Sequence, residues 1–475
     1  MDKATPKPGS PASQHPAVTE IASQYGLTRR EAKSILKRAG AIASERQELA
    51  RTQASRLLMD ACGCTIDPAR GRPERPGDDL TFQWLMALGR QHGLLSTLYA
   101  CLKREAPSSA PDPLAQEYDA TRRANLKALS ELEAILIAAR QANVRIIPIK
   151  GPTLAFSVYL DPALRPFADL DLLIEASDFA SAEGVLTKLG YERQSGLLPS
   201  RFYLKHHIHI PYPAPSKTKV ELHWGLTHRF RPWWIPVHEV LSRAAIQSLA
   251  GVEAPCLSDE DHFIYLCTHL EEHGYYSRYV DDVSDEAIIA NPDVNNRLIW
   301  LLDVAMMLSR LGQMDWEEIA HRSCRWGVGG HVSSVLSLSD RLLGVRAPAW
   351  VLQKLPRLRP YRFERALAKY IALWPGRYTL CRRKALPRIH RFLVSRIFRM
   401  HPSLQFRPSR VFDLIRYVFS EGAEVGRDGG EALWRTRQLL GAPFRLATLF
   451  GMGMYIVGYY ARRGIRIRHG RVNDL

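Results

Sequence analysis

The chain has 475 residues, of which 46% are apolar and 24% charged, with a formal net charge of +17 at pH 7. This length is sufficient for two or three domains, each with its own core, and the composition is ordinary for a soluble globular protein. Residues 1–17 are rich in Pro, Ser and Ala and contain no apolar run. They therefore predict a disordered lead and argue against a secretory signal peptide.

Residues 18–143 form a predicted helical N-terminal section. Apolar residues recur at three- and four-residue intervals, as in the segment from Leu126 to Ala139, which is typical of an amphipathic helix. Another helix is expected over "LTFQWLMALGRQHGLLSTLYACLK", Leu80 to Lys103. The seven cysteines include one close pair, Cys62 and Cys64, and no second pair completes a zinc site. This usage favours reduced thiols in a cytoplasmic protein.

At Val144 the pattern changes to short β-branched runs separated by turns and short helices. The order β-α-β-α-β-β over residues 144–256 predicts a small mixed sheet with helices on one side. Residues 257–345 read again as helices, which we expect to pack on this core. The predicted fold class is α+β, a mixed-sheet core between a helical N-terminal section and a helical C-terminal part.

Most of the positive charge lies in a basic C-terminal section, residues 346–475. From Arg341 onward there are 28 Lys plus Arg against 7 Asp plus Glu, so residues 1–340 are near neutral or slightly acidic. Arginines alternate with apolar residues at helical spacing. Such helices suit burial, peripheral contact with an anionic membrane or attraction of an acidic ligand. No motif for sequence-specific nucleic-acid binding is present.

The segment "RPFADLDLLIEASD" places Asp169 and Asp171 in an apolar strand. Residues two apart in a strand share a face and lie about 6.7 Å apart, so both carboxylates point the same way. In "KVELHW", Glu221 and His223 likewise share a face. If that strand pairs beside the acidic strand in register, Glu221 becomes a third carboxylate, and such a set suits Mg²⁺ or Mn²⁺.

These motifs resemble the nucleotidyltransferase superfamily and, more closely, the bacterial group often labelled "uncharacterised nucleotidyltransferase". The matching segments are "IKGPTLAFSVYLDPALRPFADLDLLI", "LGY", "VELHW", "YLCTHLEEHG" and "RLIWLLDVAMML". The resemblance covers roughly residues 80–345. It implies a nucleotidyltransferase fold and a reaction that uses an NTP, such as ATP, with a divalent metal.

The resemblance also implies roles for individual residues. Asp169 and Asp171 match the metal-binding carboxylates, and Glu221 matches the third one, which assists the metal or activates the acceptor hydroxyl. Gly151 matches the residue that borders the triphosphate. The wider superfamily has Gly-Ser or Gly-Gly at this turn, whereas this chain has Lys150 and Gly151, so Lys150 is a candidate phosphate contact.

Several further residues are secondary candidates. Arg165 precedes the acidic strand and is a candidate contact for phosphate or acceptor. His269 and His273 share a helix face, with Asp303 on the next helix, and a structural contact is favoured over metal binding for this trio. The segments "RFYLKHHIHI" and "KVELHWGL" predict a hairpin with its turn in "PYPAPSKT". His206, His207 and His209 are expected on a solvated face of this hairpin. The identities of these residues alone are compatible with either a binding or a structural role.

The leading hypothesis is a metal-dependent nucleotidyltransferase that moves a nucleoside monophosphate from an NTP to an acceptor and releases pyrophosphate. The acceptor is open among small molecules, saccharides, peptides and proteins. One alternative is a non-catalytic nucleotidyltransferase-like scaffold, peripheral to a membrane through its basic C-terminal helices. Another takes the two aspartates as the metal site of a nucleotide-sugar glycosyltransferase, which the "VELHW" strand and the helical N-terminal section disfavour.

Overall fold

A computed structural model describes residues 23–24 and 28–357, apart from 72, 104–111, 160, 195–202, 205–206, 216, 229–232, 273–283, 291–296 and 311–313. The predicted lead, residues 1–17, lies outside the described residues, as does the predicted basic section beyond residue 357.

Helices form most of the described chain. They span Arg29–Ile66 (α1), Asp79–His92 (α2), Leu95–Lys103 (α3), Asp112–Gln141 (α4), Gly151–Ser157 (α5), Phe179–Lys188 (α6), Val237–Ser242 (α7), Asp259–Glu272 (α8), Asp285–Ile289 (α9), Leu298–Arg310 (α10), Trp316–Arg325 (α11), Gly329–Leu343 (α12) and Ala349–Lys354 (α13). Within the ranges given above, none of them has the length and apolar character needed to cross a bilayer.

The helical N-terminal section is confirmed, with one correction. The run from Leu80 to Lys103 was expected to be a single helix, but it is broken between α2 and α3 at Gly93, which has φ +73°. A residue in the left-handed conformation ends a helix because it turns the backbone away from the helix axis. Glycine adopts this conformation without steric cost. The chain therefore reverses at Gly93 and packs α3 back on α1.

Six strands form two sheets in the described part of the chain. They span Ile147–Ile149 (β1), Asp169–Leu173 (β2), His209–Tyr212 (β3), Lys219–His223 (β4), Ala245–Leu249 (β5) and Val252–Cys256 (β6). The first four form a sheet in the order β1-β2-β4-β3, in which β2 and β4 are parallel and the other two pairs antiparallel. This arrangement confirms the predicted mixed sheet and the α+β class.

The predicted hairpin before β4 is shifted in the structure. Strand β3 begins at His209 and includes Pro211 and Tyr212, which were expected to lie in the turn. Because β3 is an edge strand, the missing N–H of Pro211 removes no ladder bond from the interior of the sheet. The β5–β6 hairpin was not expected, and it turns through Ala250 and Gly251, both with positive φ.

Two hydrophobic cores lie on either side of the sheet region. One contains residues of α1 to α3 together with residues of α8, α10 and α12, so helices before and after the sheet in sequence share one core. The other lies between one face of the sheet and the helices α4 and α6. On the opposite face of β2 and β4, Leu173 joins the first core, and the other side chains are polar. The predicted domain boundaries at residues 143 and 256 stay a prediction.

Candidate active site

The acidic face is formed by alternate residues of β2 and β4. On β2, Leu170 and Leu172 are fully buried in the sheet core, so Asp169 and Asp171 project from the other face. On β4, the register pairs Asp171 directly with Glu221. The predicted placement of the three carboxylates on one face agrees with this register, and their joint binding of a metal stays a prediction.

Basic side chains already bind each of these carboxylates. Lys150 Nζ lies 2.9 Å from Asp171 Oδ1. Lys219, which is the register partner of Asp169, lies 3.3 Å from Asp169 Oδ2 and 2.5 Å from Glu221 Oε1. Two ammonium groups thus offset much of the negative charge that this face would otherwise carry.

The three carboxylates differ in their affinity for protons. Burial raises the pKa of Asp169, and Asp171 and Glu221 raise it further. Burial also opposes the charge of Asp171, but Lys150 and His223 outweigh it and hold its pKa well below the usual range. Burial likewise opposes the charge of Glu221, but the neighbouring His209, then His223 and the hydrogen bond from Lys219 outweigh it and lower its pKa. The carboxyl of Asp169 is therefore the one that most needs a further cation.

The turn between β1 and α5 places Lys150. This residue has φ +57° and ψ −121°, a conformation that side-chain-bearing residues rarely adopt, and its N–H donates to His262 Nε2 at 3.3 Å. A side chain at Gly151 would meet Phe167 Cβ at 2.6 Å, so packing against Phe167 is itself a reason for glycine there. The role of Gly151 beside a triphosphate stays a prediction.

Arg165 is buried in an ion pair that the sequence did not indicate. Its Nε and Nη2 donate to Asp303 at 2.7 and 2.8 Å, and its Nη1 donates to the Pro166 carbonyl at 2.6 Å. Tyr159 donates to the same carboxylate at 2.8 Å. Through these three hydrogen bonds, Arg165 joins the loop before β2 to helix α10. Its contact with phosphate or acceptor stays a prediction.

A second arginine near this pair was missed by sequence reasoning. Arg297 is partly buried, and burial together with neighbouring Arg165 lowers its pKa. Its Nη2 lies 2.8 Å from the position that a Cβ would take at Gly93. In the described part of the chain no carboxylate forms an ion pair with it, and its guanidinium carbon lies 5.8 Å from the centroid of the Trp300 ring. Its position at the start of the "RLIWLLDVAMML" segment was the available signal.

The histidines are placed differently from expectation. His223 Nε2 lies 2.8 Å from Asp171 Oδ1, consistent with its predicted position beside the carboxylates. His207 is buried, which corrects the expected solvated face, and His209 is half-buried and stacks on His223 with ring centroids 4.8 Å apart. His206 lies outside the described residues.

His269 and Asp303, two members of the suggested trio, contact different residues in the structure. His269 packs edge-on against Trp300, with ring centroids 5.3 Å apart. Asp303 binds Arg165 and Tyr159 instead. His273 lies outside the described ranges. A structural role for His269 and Asp303, the favoured expectation, agrees with these contacts.

The acidic face fits a divalent cation. Its donors are carboxylate oxygens, the ligands that Mg²⁺ and Mn²⁺ prefer. The raised pKa of Asp169 reflects carboxylate crowding that a divalent cation would relieve. Asp169, Asp171 and Glu221 would hold the ion, in exchange for their present contacts with lysine.

The small mixed sheet and its paired acidic strands are features expected of a nucleotidyltransferase domain. A family model described as "Uncharacterised nucleotidyltransferase" matches residues 78–344, more than half of the chain. The chain belongs to this nucleotidyltransferase family. Comparison with curated proteins finds no match.

Two solved structures show a distant similarity. One is a crystal structure of ANT(2")-Ia in complex with adenylyl-2"-tobramycin, at 14% identity and TM-score 0.26, covering 42% of this chain and 95% of that one. The other is a solution structure of antibiotic-resistance factor ANT(2'')-Ia, at 14% identity and TM-score 0.25, covering 41% and 89%. At these TM-scores the family assignment rests on the sequence match alone.

Proposed function

We propose that the chain is a metal-dependent enzyme that transfers a nucleoside monophosphate from an NTP to an acceptor and releases pyrophosphate. The observation that carries this proposal is the register of β2 and β4, which pairs Asp171 with Glu221 and leaves Asp169 on the same face. Family membership supports nucleotidyl transfer in general terms. The metal, the NTP and the acceptor belong to the proposal.

In this reaction an acceptor oxygen forms a bond to the α-phosphorus while the bond from that phosphorus to the bridging oxygen of the β-phosphate breaks. The acceptor loses a proton, for which Glu221 is our candidate, and pyrophosphate carries away the electron pair of the broken bond. A divalent cation at the three carboxylates would neutralise charge on the phosphates. Holding both substrates in position against this face would further lower the activation barrier, because phosphoryl-type transfer depends mainly on positioning and electrostatics.

Two cations are our candidates for the phosphate groups. Lys150 rests on Asp171 in the structure, and we propose that its ammonium moves to the NTP when a metal takes its place. Arg297 is the second, since burial without an ion pair makes its guanidinium a ready partner for phosphate oxygens. Arg165 acts as a positioning residue that fixes the loop leading into β2.

A second candidate function is a non-catalytic binding or scaffold protein of the same fold. One observation favours it: lysines already bind all three carboxylates, as expected of a site that no longer takes a metal. Anchoring through the basic C-terminal section concerns residues outside the described ranges. Titration of NTP with Mg²⁺ separates the two functions, since a retired site gives no metal-dependent binding.

The proposal is tested by incubating the purified full chain with each labelled NTP, Mg²⁺ or Mn²⁺ and pools of small-molecule, saccharide, peptide and protein acceptors. The expected product is an acceptor heavier by one nucleoside monophosphate, together with pyrophosphate in equal amount. Addition of EDTA should stop both. NTP loss that continues unchanged in EDTA would overturn the metal-dependent mechanism.

A further inference from the structure

Next to the acidic face, two imidazoles converge on one oxygen of Glu221. His209 Nε2 lies 3.9 Å and His223 Nε2 3.8 Å from Glu221 Oε2. One donor atom from each of the three residues lies within 4.8 Å of the other two. These separations exceed hydrogen-bond length.

The sheet register explains this convergence. His209 on β3 and His223 on β4 are direct partners in the antiparallel pair, so their side chains stand side by side on one face. Glu221 precedes His223 by two residues and shares that face. Its two oxygens face different neighbours, because Lys219 binds Oε1 while Oε2 faces the imidazoles.

His209 is the member of this cluster whose polar atoms are least satisfied. Its Nδ1 is buried without a hydrogen-bond partner, and its Nε2 has the 3.9 Å approach to Glu221 as its contact with a carboxylate. A buried imidazole in this state loses its hydrogen bonds to water without gaining others. Coordination of a metal by Nε2 would use the lone pair that the fold leaves without a donor.

We propose that His209, His223 and Glu221 form a site for a late first-row divalent metal such as Zn²⁺ or Co²⁺, adjacent to the all-carboxylate site. Imidazole nitrogen selects such ions over Mg²⁺. Zinc bonds of about 2.0–2.2 Å place tetrahedral ligands roughly 3.4 Å apart. The two separations from Glu221 Oε2, 3.9 and 3.8 Å, therefore need to contract by about half an ångström. Three protein ligands leave a fourth position for water or a substrate oxygen.

Metal binding by His223 would replace one of its present hydrogen bonds. His223 Nε2 now shares a proton with Asp171 Oδ1 at 2.8 Å. When the metal binds, that proton moves to Nδ1, and the ring stays neutral. Nδ1 of His223 is buried without a partner in either tautomer, so the shift costs one hydrogen bond and gains one metal bond. Asp171 retains Lys150.

This inference deepens the proposed function, on which it rests only through the shared Glu221. Its test contains no NTP. Chelator-stripped full chain is titrated with Co²⁺ and followed by visible absorption, then challenged with Zn²⁺ and with excess Mg²⁺. We expect the chain to bind one equivalent of Co²⁺. Zn²⁺ should displace this Co²⁺, and excess Mg²⁺ should not. Displacement by Mg²⁺ at a comparable concentration would overturn the proposal.

The variants sharpen this test. His209→Gln should weaken Co²⁺ binding at least about tenfold and change its absorption spectrum, whereas the exposed His238→Gln should leave both unchanged. His223→Gln is a second cluster variant, and circular dichroism identifies which variants are folded. Unchanged Co²⁺ affinity in a folded His209→Gln or His223→Gln protein contradicts the site.

Asp169→Asn separates this inference from the proposed function. It lies outside the cluster, so it should keep Co²⁺ affinity within about threefold while abolishing Mg²⁺-dependent NTP turnover. Loss of turnover with intact Co²⁺ binding supports both assignments. Absence of turnover in the wild type, with intact imidazole-dependent Co²⁺ binding, overturns the proposed function alone.

Discussion

Asp171 on β2 lies directly opposite Glu221 on the parallel strand β4, and each carboxylate is held by a different lysine. Lys150 reaches Asp171 from the β1–α5 turn, while Lys219 bridges Glu221 to Asp169 from within β4. A divalent cation entering this face must therefore compete with ammonium groups of the protein itself.

Lys219→Met should strengthen Mg²⁺ and Mn²⁺ binding. The side chain of Lys219 is about one-third exposed, and removing its charge leaves Asp169 and Glu221 without their present partner. Partly exposed ion pairs contribute up to ~1 kcal/mol, so we expect an increase in affinity of up to about fivefold. Isothermal titration calorimetry without nucleotide measures it. The exposed Lys188→Met is the matched control, and equal or weaker metal binding by Lys219→Met would count against competition at this face.

Breaking the Arg165–Asp303 pair should destabilise the fold. Both side chains are almost fully buried, and removal of one partner leaves the other charge unpaired. We expect Asp303→Asn to lower the free energy of unfolding by about 3–5 kcal/mol, as measured by denaturant titration. Asp340→Asn removes the partner of exposed Arg346 and should cost less than ~1 kcal/mol.

The double variant Arg165→Met/Asp303→Leu separates charge from packing. If the loss in Asp303→Asn comes from an unpaired buried guanidinium, replacing both partners with apolar side chains should recover most of it. A double variant no more stable than Asp303→Asn would assign the loss to packing.

Stability should fall as the pH drops below about 6.5. Burial lowers the pKa of His262 to about 4, so the unfolded chain takes up a proton on this residue at a higher pH than the folded one. The stability is thus fully present above the ordinary histidine pKa and is lost as the pH falls from about 6.5 to about 4, by up to ~1.4 kcal/mol per pH unit.

His262→Gln should reduce this slope. Glutamine can still accept the Lys150 N–H through its side-chain oxygen, but it does not titrate. Urea titrations at several pH values measure the slope, and the exposed His238→Gln should retain it. A wild-type slope in His262→Gln would show that His262 does not carry the effect. His209, whose pKa burial lowers to about 3, supplies a further part of the slope in the same direction.

Arg297→Met should raise KM for the NTP. A hydrogen bond from a charged donor contributes roughly 1.5–3 kcal/mol, which corresponds to an increase of about 10- to 100-fold. The control is Arg310→Met at the exposed end of helix α10, which begins directly after Arg297. Steady-state kinetics with a varied NTP concentration measure the effect. An unchanged KM in folded Arg297→Met would remove this residue from phosphate binding.

The acidic face could be predicted because its signals are local. The two-residue period of a strand fixes the common face of Asp169 and Asp171, and the same period puts Lys219 beside Glu221. Lys219 was therefore within reach of sequence reasoning. The capping box of Thr28 and Glu31, which starts α1, is another local signal that was not used.

The contacts that surround the acidic face could not be predicted, because they join residues that are distant in sequence. Arg165 and Asp303 are 138 positions apart, and either residue alone is compatible with a solvated surface. The approach of Arg297 to Gly93 depends on the reversal between α2 and α3. The neighbouring positions of His209 and His223 required the hairpin register, which the strand character of Pro211 shifted from the expected one.

The most direct test of the account is Mg²⁺-dependent NTP turnover in Asp169→Asn and Asp171→Asn. Asparagine keeps the size of each side chain but removes the negative charge that a divalent cation requires. The control is Asp119→Asn, an exposed residue on α4. We predict turnover in the wild type and the control and at least about a thousandfold loss in both site variants, on the scale of ~4 kcal/mol of lost stabilisation. Full turnover by both site variants would contradict the assignment of this face as the active site.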